Sequence, residues 1–231
     1  MPALDEALSS VSHLGGAAVF SWLGVSLVLR GRGDLWRTVS LITFALSCVL
    51  LLSISGIYHM ASPTGAGREI LQQLDHAAIF VLIAGTFTPV HAILFRGPWR
   101  WGMLAGVWAV AITGLTLKTL YFDSIPEWIG LALYLVFGWF GVFSCVALVR
   151  RYGLRFVRPA LCGALAYTFG ALADFLRWPT LFPQIVGPHE IFHLGVLAGI
   201  FFHWQFIRGF ASRELYASIP LPAVRVEMTR A

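Results

Sequence analysis

Along its length the chain alternates long apolar runs with short polar breaks. Seven runs approach bilayer length, since about 20 apolar residues cross a hydrocarbon core. They cover about 14–29, 36–58, 74–95, 101–120, 128–149, 159–178 and 187–206. The breaks are brief: RGRGD after the first run, SPTGAGRE after the second, RGPWR after the third, RRYGLRFVR after the fifth. None is long enough to fold by itself. In lipid a segment must satisfy its own backbone polar groups, which for separate spans means α-helix. The expectation is therefore an all-α integral membrane protein, a seven-transmembrane helix bundle forming one domain over residues 1–231.

Composition sharpens this picture. Hydrophobic residues make up 58% of the chain and charged residues only 12%, about half the share of a soluble domain. The net charge of +5 is then no sign of nucleic-acid binding, because basic residues in such a chain first report orientation. Thirteen of the sixteen Lys and Arg residues follow runs one, three, five and seven. Arg68, Lys118 and Arg177 are the three on the other side. The positive-inside rule places the N-terminus outside and the C-terminus in the cytoplasm. The opening residues MPALDEALSSVSH are polar and acidic, unlike the basic start of a signal peptide. Cys48, Cys145 and Cys162 are scattered in apolar runs and read as small packing residues, not disulfide partners. Gly195 and Gly199 form a G-x-x-x-G in the seventh run, a pattern suited to close helix packing.

The chemistry gathers at one membrane level. His189 and His193 are four apart and share a helix face, so they can hold one metal ion. Ser55 and His59 share a face at the end of the second run. Asp75 and His76 open the third. If each run crosses fully, His59, Asp75, His189 and His193 lie at the same depth, the outer one. Three histidines give a His₃ zinc site with an open fourth position, the arrangement of catalytic zinc, and water there would have its pKa lowered toward about 7. Asp75 could accept a proton from that water, and Ser55 could stabilise an oxyanion.

Plainer readings stand beside these. Asp75 is also placed to cap the third helix, and Ser55 to bond its own backbone. His13, His76, His91 and His203 read as hydrogen-bonded packing residues, and His13, His76 and His203 also as partners around the metal. His189-Glu190-Ile191-Phe192-His193 matches H-E-x-x-H, the metalloprotease motif. A nearly unbroken apolar helix follows it, and Glu190 is turned about 100° from His189, so a soluble protease is disfavoured. Glu190 is instead a candidate partner orienting a histidine. Asp174 has no partner that the sequence names beyond nearby Arg177.

These residues carry a family resemblance over nearly the whole chain. Ser12-His13, Ser55-x-x-x-His59, Leu74-Asp75-His76 and His189-Glu190-Ile191-Phe192-His193, with His203 following, resemble the hemolysin III proteins, the bacterial branch of the progestin and adiponectin receptor family. The resemblance implies zinc bound by His59, His189 and His193, with Ser55 and Asp75 close to a zinc-bound water. Adiponectin receptors are similar proteins with ceramidase activity and the opposite orientation. Bacterial members have been called hemolysins and linked to membrane-lipid homeostasis. The expectation is a zinc-dependent hydrolase of a lipid amide or ester in the bacterial inner membrane, with membrane lipids as partners and the site on the outer side. The alternative is a non-enzymatic zinc-stabilised sensor or pore-forming cytolysin. Few polar residues in runs four and five (Thr113, Thr116, Ser144) count against a pore.

Overall fold

The computed structural model describes residues 4–62 and 65–212. Arg213, Arg225 and Arg230, counted above among the basic residues, lie outside them. Eight α-helices follow in chain order: α1 Leu4–Arg30, α2 Leu35–Met60, α3 Ala66–Leu94, α4 Pro98–Leu120, α5 Glu127–Trp139, α6 Gly141–Tyr152, α7 Leu154–Phe175 and α8 Pro188–Arg208. A 3₁₀ turn, Phe122–Ser124, precedes α5. Helices α5 and α6 abut at Phe140 and act as one span, so seven helical segments are long and apolar enough to cross a membrane.

Local chemistry sets several boundaries. Asp34 caps α2, its Oδ1 accepting from Arg37 N at 3.1 Å. Gly97 and Gly153 adopt φ of 57° and 83° at the turns before α4 and α7, a region that glycine enters without steric cost. Pro98 and Pro188 start α4 and α8, where the missing N–H costs nothing.

Two helices begin eight or more residues before their apolar runs. Helix α1 starts near Leu4 and α3 at Ala66, not at 14 and 74. In α1 part of the added stretch faces protein: Ser9, Ser10 and His13 are buried between neighbouring helices. Asp75 consequently lies ten residues beyond the α3 N-cap, Gly65. This corrects the capping reading of Asp75.

The helices form a closed circuit. Helix α3 packs on α2 and α4, α2 on α1, α1 on α8, α8 on α7, and α7 on α5 and α6. Span three is the most enclosed. The main core joins Phe44, Leu52 and Leu82 to Val196, Ile200 and Ile207. Helices α7 and α8 approach at backbone distance: a Cβ on Gly195 would sit 2.8 Å from Ala166 O and 3.0 Å from Gly170 Cα. Gly199 in turn seats the Tyr167 ring, so the G-x-x-x-G does pack a helix. The large exposed apolar residues, Trp22 and Val136 among them, lie on the outward faces, where a bilayer would solvate them.

Buried polar residues join the helices at the end remote from His59. Arg37 donates from one guanidinium nitrogen to Phe210 O at 2.5 Å and Ala211 O at 3.1 Å, tying α2 to the carbonyl end of α8. His91 bridges Trp99 O and Ser144 Oγ, each at 3.0 Å, and so joins α3 to α4 and α6. Both are packing devices.

Candidate metal centre

The site is built where four helix ends meet. The last turn of α2 supplies His59, and the first two turns of α8 supply His189 and His193. Their ring centroids lie 4.6–5.2 Å apart. His189 Nε2 is 3.0 Å from His193 Nε2 and 3.4 Å from His59 Nε2. These three form the group of side chains, among the described residues, whose donor atoms could hold a metal ion.

The far nitrogens explain why the Nε2 atoms face inward. His59 Nδ1 is 2.7 Å from Glu6 Oε2. His189 Nδ1 is 3.2 Å from Asp174 Oδ1. His193 Nδ1 is 2.9 Å from His13 Nε2. An ionised carboxylate only accepts, so Nδ1 of His59 and of His189 carries the proton and their Nε2 atoms are bare. Lone pairs directed into one small space repel unless a cation occupies it. The residues present therefore fit a metal ion, with the carboxylate–histidine pairing that fixes the ring and raises ligand basicity. Glu6 is itself held by Arg68, whose Nη2 lies 2.6 Å from Glu6 Oε1 and whose Nη1 donates to Ala61 O at 2.8 Å.

Burial is uneven. His59 and His193 are buried, while the His189 side chain is 43% exposed. The open side faces a cavity of about 680 Å³, within the usual range for small-molecule sites. Asp75 and Ser55 both line it, together with His189 and His193. The far wall descends past Leu82 and Phe87 to Trp139 and His203. The cavity thus links the triad to the apolar interior of the helix circuit.

Other expected participants divide. His13 touches the triad through His193. His76 lines the cavity, its Nδ1 bonded to Gln72 O at 2.8 Å. His203 is ten residues beyond His193, about 15 Å of helix, and pairs with Gly199 O at 2.8 Å while stacking on Tyr167. It belongs to the cavity floor and not to the metal's surroundings. Glu190 orients no histidine. It turns back to accept from Gly187 N at 2.8 Å and Ser9 Oγ at 3.1 Å, capping α8 and joining it to α1.

The histidine-orienting role falls instead to Glu6 and Asp174. Helical spacing held a signal for Glu6, since Glu6 and His13 are seven apart and share a face of α1. Asp174 carried the general signal of a carboxylate inside a span. Neither signal named its partner.

The fold and site define a seven-helix membrane protein whose histidine triad could bind a metal beside a large cavity. The family model described as Haemolysin-III related matches residues 2–204, and this chain belongs to that family. Relatives include "Hemolysin-3" of Bacillus cereus, 28% identical over 197 residues, which cover 84% of this chain and 86% of that one. The "Hemolysin-3 homolog" of Bacillus subtilis (strain 168) is 30% identical over 197 residues, covering 84% and 89%.

Proposed function

We propose that this protein is a zinc-dependent hydrolase of a lipid amide or ester, acting in membrane-lipid homeostasis. The observation that carries the reading is the cavity, which puts Asp75, Ser55 and the open side of the triad at one end of an apolar-walled space. Zinc is favoured by three imidazole donors with one side open. Tetrahedral coordination spaces such nitrogens about 3.4 Å apart, near the 3.0 and 3.4 Å separations of the Nε2 atoms.

When bound, zinc supplies Lewis acidity, polarising a carbonyl and easing deprotonation of a water molecule. The chain's own residues do the rest. Asp75 takes the proton of the attacking water and passes it to the departing nitrogen or oxygen. Ser55 donates its hydroxyl hydrogen toward the oxygen on which negative charge develops. Glu6, Asp174 and His13 hold the three rings so that this end stays fixed. The apolar wall past Leu82 and Phe87 takes an acyl chain.

The basic asymmetry gives the proposed orientation: N-terminus outside, C-terminus in the cytoplasm, and the site on the outer face of a bacterial inner membrane. Its substrate would then come from the outer leaflet.

A second reading, a zinc-stabilised cytolysin, draws on the names of the Bacillus relatives. Against it, the deep cavity wall is largely apolar, whereas a water-filled pore needs a polar lining. One pair of assays separates the two. Purified protein is tested for fatty-acid release from a bacterial lipid extract and for dye release from liposomes. The hydrolase reading expects fatty acid from wild type and none from His193→Ala. Dye release with no fatty acid would replace it with the cytolysin.

A further inference from the structure

Lys118 is one of the three basic residues on the sparsely basic side of the sequence. The other two are engaged. Arg68 holds Glu6 and the α2 carbonyls, and Arg177 lies 3.5 Å from Glu127 at the surface. Lys118 differs in being buried, only 7% exposed, in the last turn of α4. Its ammonium has no hydrogen bond and no carboxylate within 4 Å among the described residues. It rests over the Phe122 ring, 4.5 Å from the centroid, and beside Gly130 of α5. Lys118 also lines the same cavity as the histidine triad.

The neighbouring charges do not settle this cation from within. Asp123 in the 3₁₀ turn and Glu127 at the start of α5 are exposed, line the same cavity and attract the ammonium from beyond 4 Å. On the inner side Phe122 meets the His76 ring edge-on at 5.3 Å, and His76 follows Asp75. One wall of the cavity therefore runs from the ammonium through Phe122 and His76 to Asp75. The ammonium opens onto this cavity with donors that no described protein group takes, so an anion in the cavity can join it.

We infer that Lys118 is a binding site for the phosphate of a phospholipid, held with its head group between Lys118 and the triad and its chains along the apolar wall. Lysine suits this as a compact point charge that binds phosphate without requiring a fixed fork. The inference rests on the hydrolase reading for placing a lipid in the cavity, and it narrows the substrate class to phosphate-bearing acyl lipids.

The test reads binding, not turnover. Short-chain ether-linked phosphatidylcholine has no scissile carbonyl, so its affinity is independent of any hydrolysis. Native mass spectrometry of the purified protein in a nonionic maltoside compares this lipid with the matching ether-linked dialkylglycerol, which lacks phosphate. Wild type should prefer the phospholipid by about tenfold or more. Lys118→Met, which keeps the length and apolar stem, should lose that preference, and Lys118→Arg should retain it. Matched thermal melting curves establish that each variant is folded. Equal binding of both lipids by wild type, or an undiminished preference in Lys118→Met, would overturn the inference. Displacement by inorganic phosphate at equal concentration would assign the site to a free anion and overturn the lipid assignment. Phosphate-dependent binding without fatty-acid release from ester lipids would leave this site standing and remove the hydrolase.

Discussion

Glu6 Oε2 lies 2.7 Å from His59 Nδ1, joining the N-terminal end of α1 to the last turn of α2 across 53 residues of chain. The contact fixes which nitrogen of His59 faces the other two rings. A candidate ligand on one helix is thus oriented by a carboxylate on another, and Arg68 holds that carboxylate from the opposite side at 2.6 Å.

The Glu6 contact predicts a metal phenotype for a residue outside the triad. Glu6→Gln should weaken zinc binding by about 10–100-fold, the usual effect of losing an orienting partner. Asp174→Asn should act in the same direction. Glu190→Gln should leave zinc affinity within a few-fold while lowering the melting temperature, since Glu190 serves the α8 cap and Ser9. Chelator competition on the purified variants measures this. Equal losses in all three would deny Glu6 and Asp174 any special role.

Metal stoichiometry follows from the triad itself. Protein purified without chelator should carry about one zinc per chain. His59→Ala, His189→Ala and His193→Ala should each lower that sharply. Because ligand binding to the folded state alone stabilises it, chelation should also reduce the melting temperature of wild type. Full zinc content in His59→Ala, read by elemental analysis, would break the proposed link between α2 and α8.

Asp75 separates catalysis from scaffolding. Asp75→Asn retains size and hydrogen-bonding capacity but removes the base. At matched zinc content it should lose fatty-acid release by about 10²–10⁴-fold, the usual worth of a general base. Asp75 lies ten residues inside α3, so loss of a helix cap could not account for the effect. Comparable rates in the two proteins would take Asp75 out of the mechanism.

The α7–α8 contact predicts a stability contrast between two glycines. Gly195→Val places a side chain against Ala166 O and the Gly170 backbone, and should cost several kcal/mol or abolish folding. Gly106→Ala meets nothing within 4 Å on exposed α4, and should be neutral or stabilise by up to about 1 kcal/mol. Thermal unfolding in detergent distinguishes them. A normal melting curve for Gly195→Val would mean that the two helices can separate without loss.

Orientation has its own measurement. A reporter fused after Ala231 should read as cytoplasmic and one at the N-terminus as external, because thirteen of sixteen basic residues follow the odd-numbered runs. A C-terminus on the far side would move the triad to the cytoplasmic face.

The sequence by itself determined the helical class, the seven spans and the shared level of His59, Asp75, His189 and His193. These follow from one-dimensional rules: an apolar run of given length crosses a bilayer, and residues four apart on a helix share a face. Helix starts were less legible. The apolar pattern marks where lipid begins, but α1 continues through polar turns partly buried against protein, and α3 through polar turns that are half-buried or exposed. Only the tertiary structure decided which groups orient the histidines. Glu6, Asp174 and Glu190 are all carboxylates within a few residues of a helix end. Glu190, the one nearest the triad in sequence, turned out to cap its own helix. Depth along a span can be counted from sequence, but the rotation of each helix about its axis cannot. That rotation is set by packing, such as the close approach of Gly195 to Gly170, and it determines which side chain points at which ring.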